Sequence, residues 1–252
     1  MAGVSAGSPH WFEGLADHMG EAYLRYSFTR GTNQEVDFLI ETMQLEPGDR
    51  VLDVGCGPGR HSYRLAELGM NVLGVDISQT FVDIATKAAP SSARFERMDA
   101  RTMNFFEEFD AAISLCQGAF GLVGGPGCDV SALDPDGEVL TAMSRALKPA
   151  GKLAVSAFSA YFQVRFLEEF DSFDADLGVN HEVTAVRDLP GIEIEAELWT
   201  SCFTPRELRL LANHAGLTDW RIWSVSPGSF AARAPNLEHP EFLLMASKDL
   251  KG

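Results

Sequence analysis

The chain has 252 residues, 46% of them hydrophobic and 22% charged. That is an ordinary globular composition, which excludes a disordered tail and a fibrous repeat. Its 36 Asp and Glu against 20 Lys and Arg leave a net charge of −16 with no Lys/Arg run, so nucleic acid and anionic membrane are poor partners.

In chain order, two apolar clusters around Trp11–Tyr26 and Val36–Leu45 read as N-terminal helices. Arg50–Val54 is a short apolar run ending in glycines, hence a buried strand. Pro58–Leu68 reads as a helix stopped by Gly69, and Asn71–Asp76 as a second buried strand. Ser78 caps a helix with Phe81, Ile84, Ala85 and Ala88 on one face, ended by Pro90. Ala93–Met98 and Phe109–Leu115 follow as strands, then a helix opened by Asp134 and Pro135, then a fifth strand over Lys152–Phe158. Apolar strands alternating with helices predict a doubly wound, mostly parallel α/β sheet.

The last third departs from that rhythm. Ile192, Ile194, Ala196 and Leu198 alternate with Glu193, Glu195 and Glu197, a half-buried strand that pairs with His181–Val186 through the turn Asp188–Gly191. Thr204-Pro205-Arg206-Glu207 is a capping box, and strands near Trp220–Val225 and Phe242–Ala246 finish the chain. The economical organisation is one domain over 1–252: a helical cover (1–48), a binding core (49–158), a cap or hairpin insertion (159–200) and the C-terminal part of the core (201–252).

Asp53-Val54-Gly55-Cys56-Gly57-Pro58-Gly59 lies where the first strand turns into a helix. Glycines there allow close backbone approach, and the helix N-terminus offers unpaired N–H groups. Asp76, closing the second strand, can accept both hydroxyls of a ribose. A nicotinamide fingerprint would need a third glycine where Arg60 stands. The carboxylate of Asp53 ahead of the glycines suits an ammonium group better than a pyrophosphate. The ligand indicated has a ribose and a cationic amino-acid tail, as in S-adenosylmethionine.

The segments VLDVGCGPGRHSYRLAELG (51–69), VLGVDIS (72–78), MDAR (98–101), FDAAISLCQGAF (109–120) and LKPAGKLAVSAF (147–158) together resemble the class I S-adenosylmethionine-dependent methyltransferases. The resemblance implies a Rossmann-like seven-stranded sheet with a final antiparallel strand, and S-adenosylhomocysteine as product. It implies that the Gly55-Cys56-Gly57 loop faces the methionine and ribose, Asp76 holds the ribose, Ile77 lies on the adenine, and Asp99 and Ala100 bond its edge. Cys116 and Gln117 would line the sulfonium and the acceptor. A second glycine is commoner in this family where Ala150 stands, a departure with no expected functional consequence.

Methyl transfer is an in-line displacement, so proximity and exclusion of water carry most of it. A base is needed only where the nucleophile must lose a proton. His61 and His181 are the candidate bases; their structural alternatives are a packed helix-start residue and an exposed strand end. Tyr26 and Arg30 are candidates to fold over the cofactor, Arg30 pairing with its carboxylate. Phe120, Tyr161, Phe162 and Arg165 are candidate acceptor contacts, the last three within the aromatic and acidic stretch 161–173. That stretch reads either as a lid or as an amphipathic helix. Cys56, Cys116, Cys128 and Cys202 form no C-x-x-C or zinc-like spacing, and no ligand-spaced His/Asp/Glu set appears, so no metal is expected.

With no signal-peptide pattern and no apolar run of the ~20 residues a bilayer span needs, a cytoplasmic enzyme is expected, monomeric or homodimeric. Its acceptor would be a small organic molecule methylated at oxygen or nitrogen. A peptide or protein N-methyltransferase and a non-catalytic cofactor-binding regulator are the alternatives, and an oxidoreductase would require Arg60 in place of a glycine.

Overall fold

The computed structural model describes residues 10–116, 118–126 and 134–250. Gln117 and Cys128 lie outside them. Helix α1 (Trp11–Met19) and two 3-10 turns (Gly20–Arg25, Ser27–Gly31) lead into α2 (Thr32–Met43). The core follows as β1 (Arg50–Val54), α3 (Arg60–Glu67), β2 (Asn71–Asp76), α4 (Gln79–Lys87), β3 (Ala93–Arg97), β4 (Phe109–Ser114), α5 (Pro135–Ala146) and β5 (Leu147–Ser159). After β5 come α6 (Ala160–Arg165), β6 (Ser172–Asp174), β7 (Val179–Arg187), β8 (Glu193–Phe203), α7 (Pro205–His214), β9 (Leu217–Val225) and β10 (Glu241–Lys248).

The expected caps do the work of starting the helices. Asp134 accepts from Gly137 N at 2.8 Å ahead of α5, and Thr204 and Glu207 complete a reciprocal capping box on α7. At α1 the cap is His10, whose Nδ1 accepts from Phe12 N.

Strands run β3-β2-β1-β4-β5, parallel throughout, with β10 antiparallel between β5 and β9. Both faces of the central strands β1 and β4 are buried. Leu52, Val54 and Ala112 pack under α5 and α7 with Leu140, Met143 and Leu208, while Val51, Ala111 and Ile113 pack under α2 and α3 with Leu39 and Leu65. Burial on both faces is why these strands read as continuous apolar runs.

The insertion differs from a simple hairpin. β7 and β8 pair from Val179↔Ser201 to Arg187↔Glu193, and β6 adds a third strand, Ser172↔His181 to Asp174↔Val179. Among the described residues the ribbon joins the main sheet only where Cys202 and Phe203 of β8 meet Phe158 and Ser159 of β5, beyond the point at which β4 ends. Its far end rests on the N-terminal cover, with Val186 and Ala196 against Leu15, Ala16 and Met19. The stretch 161–173 is not the amphipathic helix that is one of its two readings: only its first residues are helical, in α6, and it ends in β6. Among the described residues no helix is long and apolar enough to cross a membrane.

Candidate functional site

The glycine loop is tied to the end of β2. Gly55 N and Cys56 N donate to Val75 O at 2.8 and 3.1 Å, and Gly57 N donates to Asp76 Oδ2 at 2.8 Å. The other Asp76 oxygen accepts from Ser78 N at 2.8 Å. Asp76 is 4% exposed, and burial pushes its carboxyl up to about 6 against the pull of those N–H donors. Gly55 has φ +71°, and a Cβ there would fall 1.9 Å from the carbonyl carbon of Gly118. The loop after β4 and the loop after β1 therefore touch backbone to backbone.

Between them opens a narrow cleft. Gly55, Asp76, Ile77, Asp99 and Ala100, five of the residues singled out in the sequence, line it together. His10, Phe12, Met98 and Arg101 join them. Asp99 accepts from Arg101 N at 3.0 Å and from its guanidinium at 2.9 Å. Burial alone would raise its carboxyl; the Arg101 contacts outweigh that and hold it low.

Other expected residues point elsewhere. Asp53 is buried and accepts from Ser62 Oγ at 2.7 Å, its carboxyl raised by burial. Cys56 packs its sulfur beside Gly74 rather than toward the cleft. Tyr26 turns its hydroxyl to Arg187 N at 3.0 Å, and Arg30 is exposed. Three residues earlier in the same turn region, Tyr23 lies over Gly57, edge-on to Phe28 and tilted on Phe81.

His61 is not positioned as a cleft base. It is buried, with Nε2 2.7 Å from Glu35 Oε2, and burial lowers its pKa, so a neutral ring donates to that carboxylate. The same Glu35 oxygen accepts from Arg60 Nη1 at 2.8 Å, and Oε1 accepts from Gly228 N at 2.7 Å. Arg60 also donates to Thr32 Oγ1 and to Cys116 Sγ. Glu35 is fully buried; burial would raise its carboxyl, yet His61 and Arg60 bring it down to about 2. Glu35, His61 and Cys116 are grouped closely enough to suggest a metal set, but the Arg60 guanidinium sits among their donor atoms and spends them. Neither Glu35 nor Arg60 stood out in the sequence as part of the site; the only signal was an arginine directly after the last loop glycine.

Phe120 is 0% exposed and stacked on Phe203 at 4.7 Å, placed in the hydrophobic core rather than on the cleft. His181 stacks on Trp199 at 4.8 Å with Nε2 2.9 Å from Glu197, and it lines a broad acidic groove with Trp199, whose other neighbour is Trp11 of α1. Tyr161 is exposed, Phe162 packs on Phe166, and Arg165 pairs with Glu238 on the surface.

Comparison with known proteins meets this geometry. The methyltransferase-domain family matches residues 51–151. The methyltransferase C750.03c of Schizosaccharomyces pombe is 32% identical over 123 residues, which is 47% of this chain and 77% of that protein. The chain belongs to the S-adenosylmethionine-dependent methyltransferases. The methyltransferase spans smaller shares of other curated relatives, 32% and 46% of their length in two cases. Its fold is that of the CcbJ methyltransferase from Streptomyces caelestis, with a TM-score of 0.74 at 18% identity over 96% of this chain and all of that one. An S-adenosylmethionine-dependent methyltransferase from Clostridium acetobutylicum gives 0.67 at 17% identity, over 94% and 98% of the two chains.

Proposed function

We propose that the methyltransferase transfers the methyl group of S-adenosylmethionine to an oxygen or nitrogen of a small organic acceptor. The observation that carries the binding mode is Asp76. Each of its carboxylate oxygens accepts one backbone N–H and so keeps a lone pair for a ribose hydroxyl. Gly55 leaves no side chain between loop and ligand, and Ile77, Met98, Asp99 and Ala100, which line the same cleft, are the residues that would hold the adenine. The residues present fit the cofactor. When bound, it supplies a methyl group already activated by the sulfonium.

The protein's part is to hold the acceptor in line and keep water out. Tyr23 over Gly57 and the ribbon above the strand ends supply the cover. Arg60, behind the loop, has its guanidinium on Glu35, Thr32 and Cys116 and Arg30 is exposed, so neither is assigned to the cofactor carboxylate. No base is assigned to His61, whose nitrogen is committed to Glu35.

Calorimetric titration with S-adenosylmethionine, S-adenosylhomocysteine and NADH, on the wild type and Asp76→Ala, tests this reading. Both adenosyl ligands are expected to bind and NADH not, with the variant losing affinity. Binding of NADH alone would reverse the assignment, and adenosyl binding without turnover on any acceptor would point to a regulator.

A further inference from the structure

One face of the ribbon carries polar groups that neither the fold nor the cofactor uses. Strand alternation places Asn180, Glu182, Thr184 and Val186 on that face, with Thr200, Leu198 and Ala196 directly across on β8. Its outer end is closed by Val186 and Ala196 on α1 and Phe81, and Phe81 itself abuts Gly57. Its inner end reaches the tip of β5 at Cys202. The face is therefore turned over the glycine loop.

Between those ends, Asn180 is 2% exposed, and its Oδ1 has no hydrogen-bond partner among the described residues. Native proteins rarely leave such an atom unpaired, so it marks a place for a donor from outside the chain. Glu182, two residues on, is half-buried, and its carboxyl is raised by burial first, then by Asp171 and more weakly by Glu168, against the pull of the Thr184 hydroxyl. Continuing the β6–β7 register puts Asp171 opposite Glu182 and Phe173 opposite Asn180. No ion pair among the described residues engages Glu182, Asp171 or Glu168.

We propose that the acceptor is an amine that binds as its ammonium to Glu182, Asp171 and the Asn180 amide oxygen, and is methylated on that nitrogen. This rests on the methyl-transfer reading above. Three acceptors on one face match the three N–H donors of a primary ammonium. The balance is simple. The ammonium gives one proton to the Glu182 carboxylate, and the freed lone pair attacks the methyl carbon. The C–N bond forms as the C–S bond breaks, and the electron pair of the broken bond stays on sulfur. The positive charge passes from sulfur to nitrogen, beside Asp171, and the proton on Glu182 leaves to solvent.

The test uses the full chain saturated with S-adenosylhomocysteine, titrated with matched probes: 2-phenylethylamine against 2-phenylethanol, and 1,5-diaminopentane against 1,5-pentanediol. Each amine is expected to bind at least about tenfold more tightly than its alcohol. In Glu182→Gln and in Glu182→Gln with Asp171→Asn that preference collapses, while affinity for S-adenosylhomocysteine stays at the wild-type value and shows that the variants are folded. Equal binding of amine and alcohol, a preference that survives both variants, or no binding of either probe class overturns the proposal and leaves the cofactor reading intact. Failure of the wild type to bind S-adenosylhomocysteine takes both down.

Discussion

Asp76 links cofactor affinity to pH in a way that can be worked out in advance. In the free protein its carboxyl sits at about 6 because burial outweighs the Gly57 and Ser78 N–H donors. Ribose hydroxyls bond the charged form far more strongly than the neutral one, at about 1.5–3 kcal/mol per charge-assisted bond. At about 1.4 kcal/mol per pKa unit, two such bonds pull the carboxyl down by two units or more. Protons then compete with the ligand over the window from about 6 to 4, and Kd for S-adenosylhomocysteine rises about tenfold between pH 7 and pH 5. In Asp76→Asn the titration is gone: affinity at pH 7 falls by about 3 kcal/mol, near a hundredfold, and no longer varies over that range. Calorimetry at pH 5, 6 and 7 on both proteins reads this directly. The sign in the free protein is opposite to that of a paired carboxylate. A raised carboxyl costs about 3 kcal/mol of stability at neutral pH, a cost that fades as pH falls from 6 toward 4. A wild-type Kd that is the same at pH 7 and pH 5 would refute the claim that ionised Asp76 reads the ribose.

Other substitutions separate the parts of the site. Gly55→Ala drives a Cβ into the Gly118 backbone at φ +71°; thermal unfolding is expected to show a loss of about 3 kcal/mol or more and calorimetry no cofactor binding. Glu35→Gln leaves the Arg60 guanidinium unbalanced in a buried place and is expected to cost about 3–5 kcal/mol in denaturant unfolding. Because Glu35 is held at about 2, its contribution is present above about 4.5 and drains away as pH falls toward 2; the variant loses that acid-side slope. Ala150 sits at φ +64°, so Ala150→Gly is expected to stabilise by about 0.5 kcal/mol with unchanged cofactor affinity. A measured loss of stability there would show that the turn has other support.

The parallel core was legible because its signals are local: buried strands with both faces apolar, and helix starts at Ser78, Asp134 and Thr204 that announce themselves within four residues. The cleft residues Gly55, Asp76, Ile77, Asp99 and Ala100 were legible for the same reason, since all stand at strand ends in a fixed rhythm. What escaped depends on contacts between distant segments. Phe120 follows a strand-four loop as an acceptor contact might, yet Phe203 from the insertion claims its ring. His61 sits beside the glycines, but Glu35 from α2 takes its nitrogen. Tyr23 and Tyr26 are equally aromatic in sequence, and only the turn between them decides which lies over the loop. β6 is too short for any periodicity to register.

The single carboxylate of Glu35 has a consequence for the order in which the enzyme becomes competent. It bonds Arg60 and His61, directly behind the cofactor loop, and at the same time the backbone of Gly228. The loop is specified in the first quarter of the chain, but the carboxylate that braces it is satisfied only when a turn made 193 residues later arrives. Contacts of such separation form late, after loop closure has been overcome. A chain still being synthesised, with its first five strands already out, would carry the loop sequence without its finished brace. Tight cofactor binding is thereby a report that synthesis has reached the final strands.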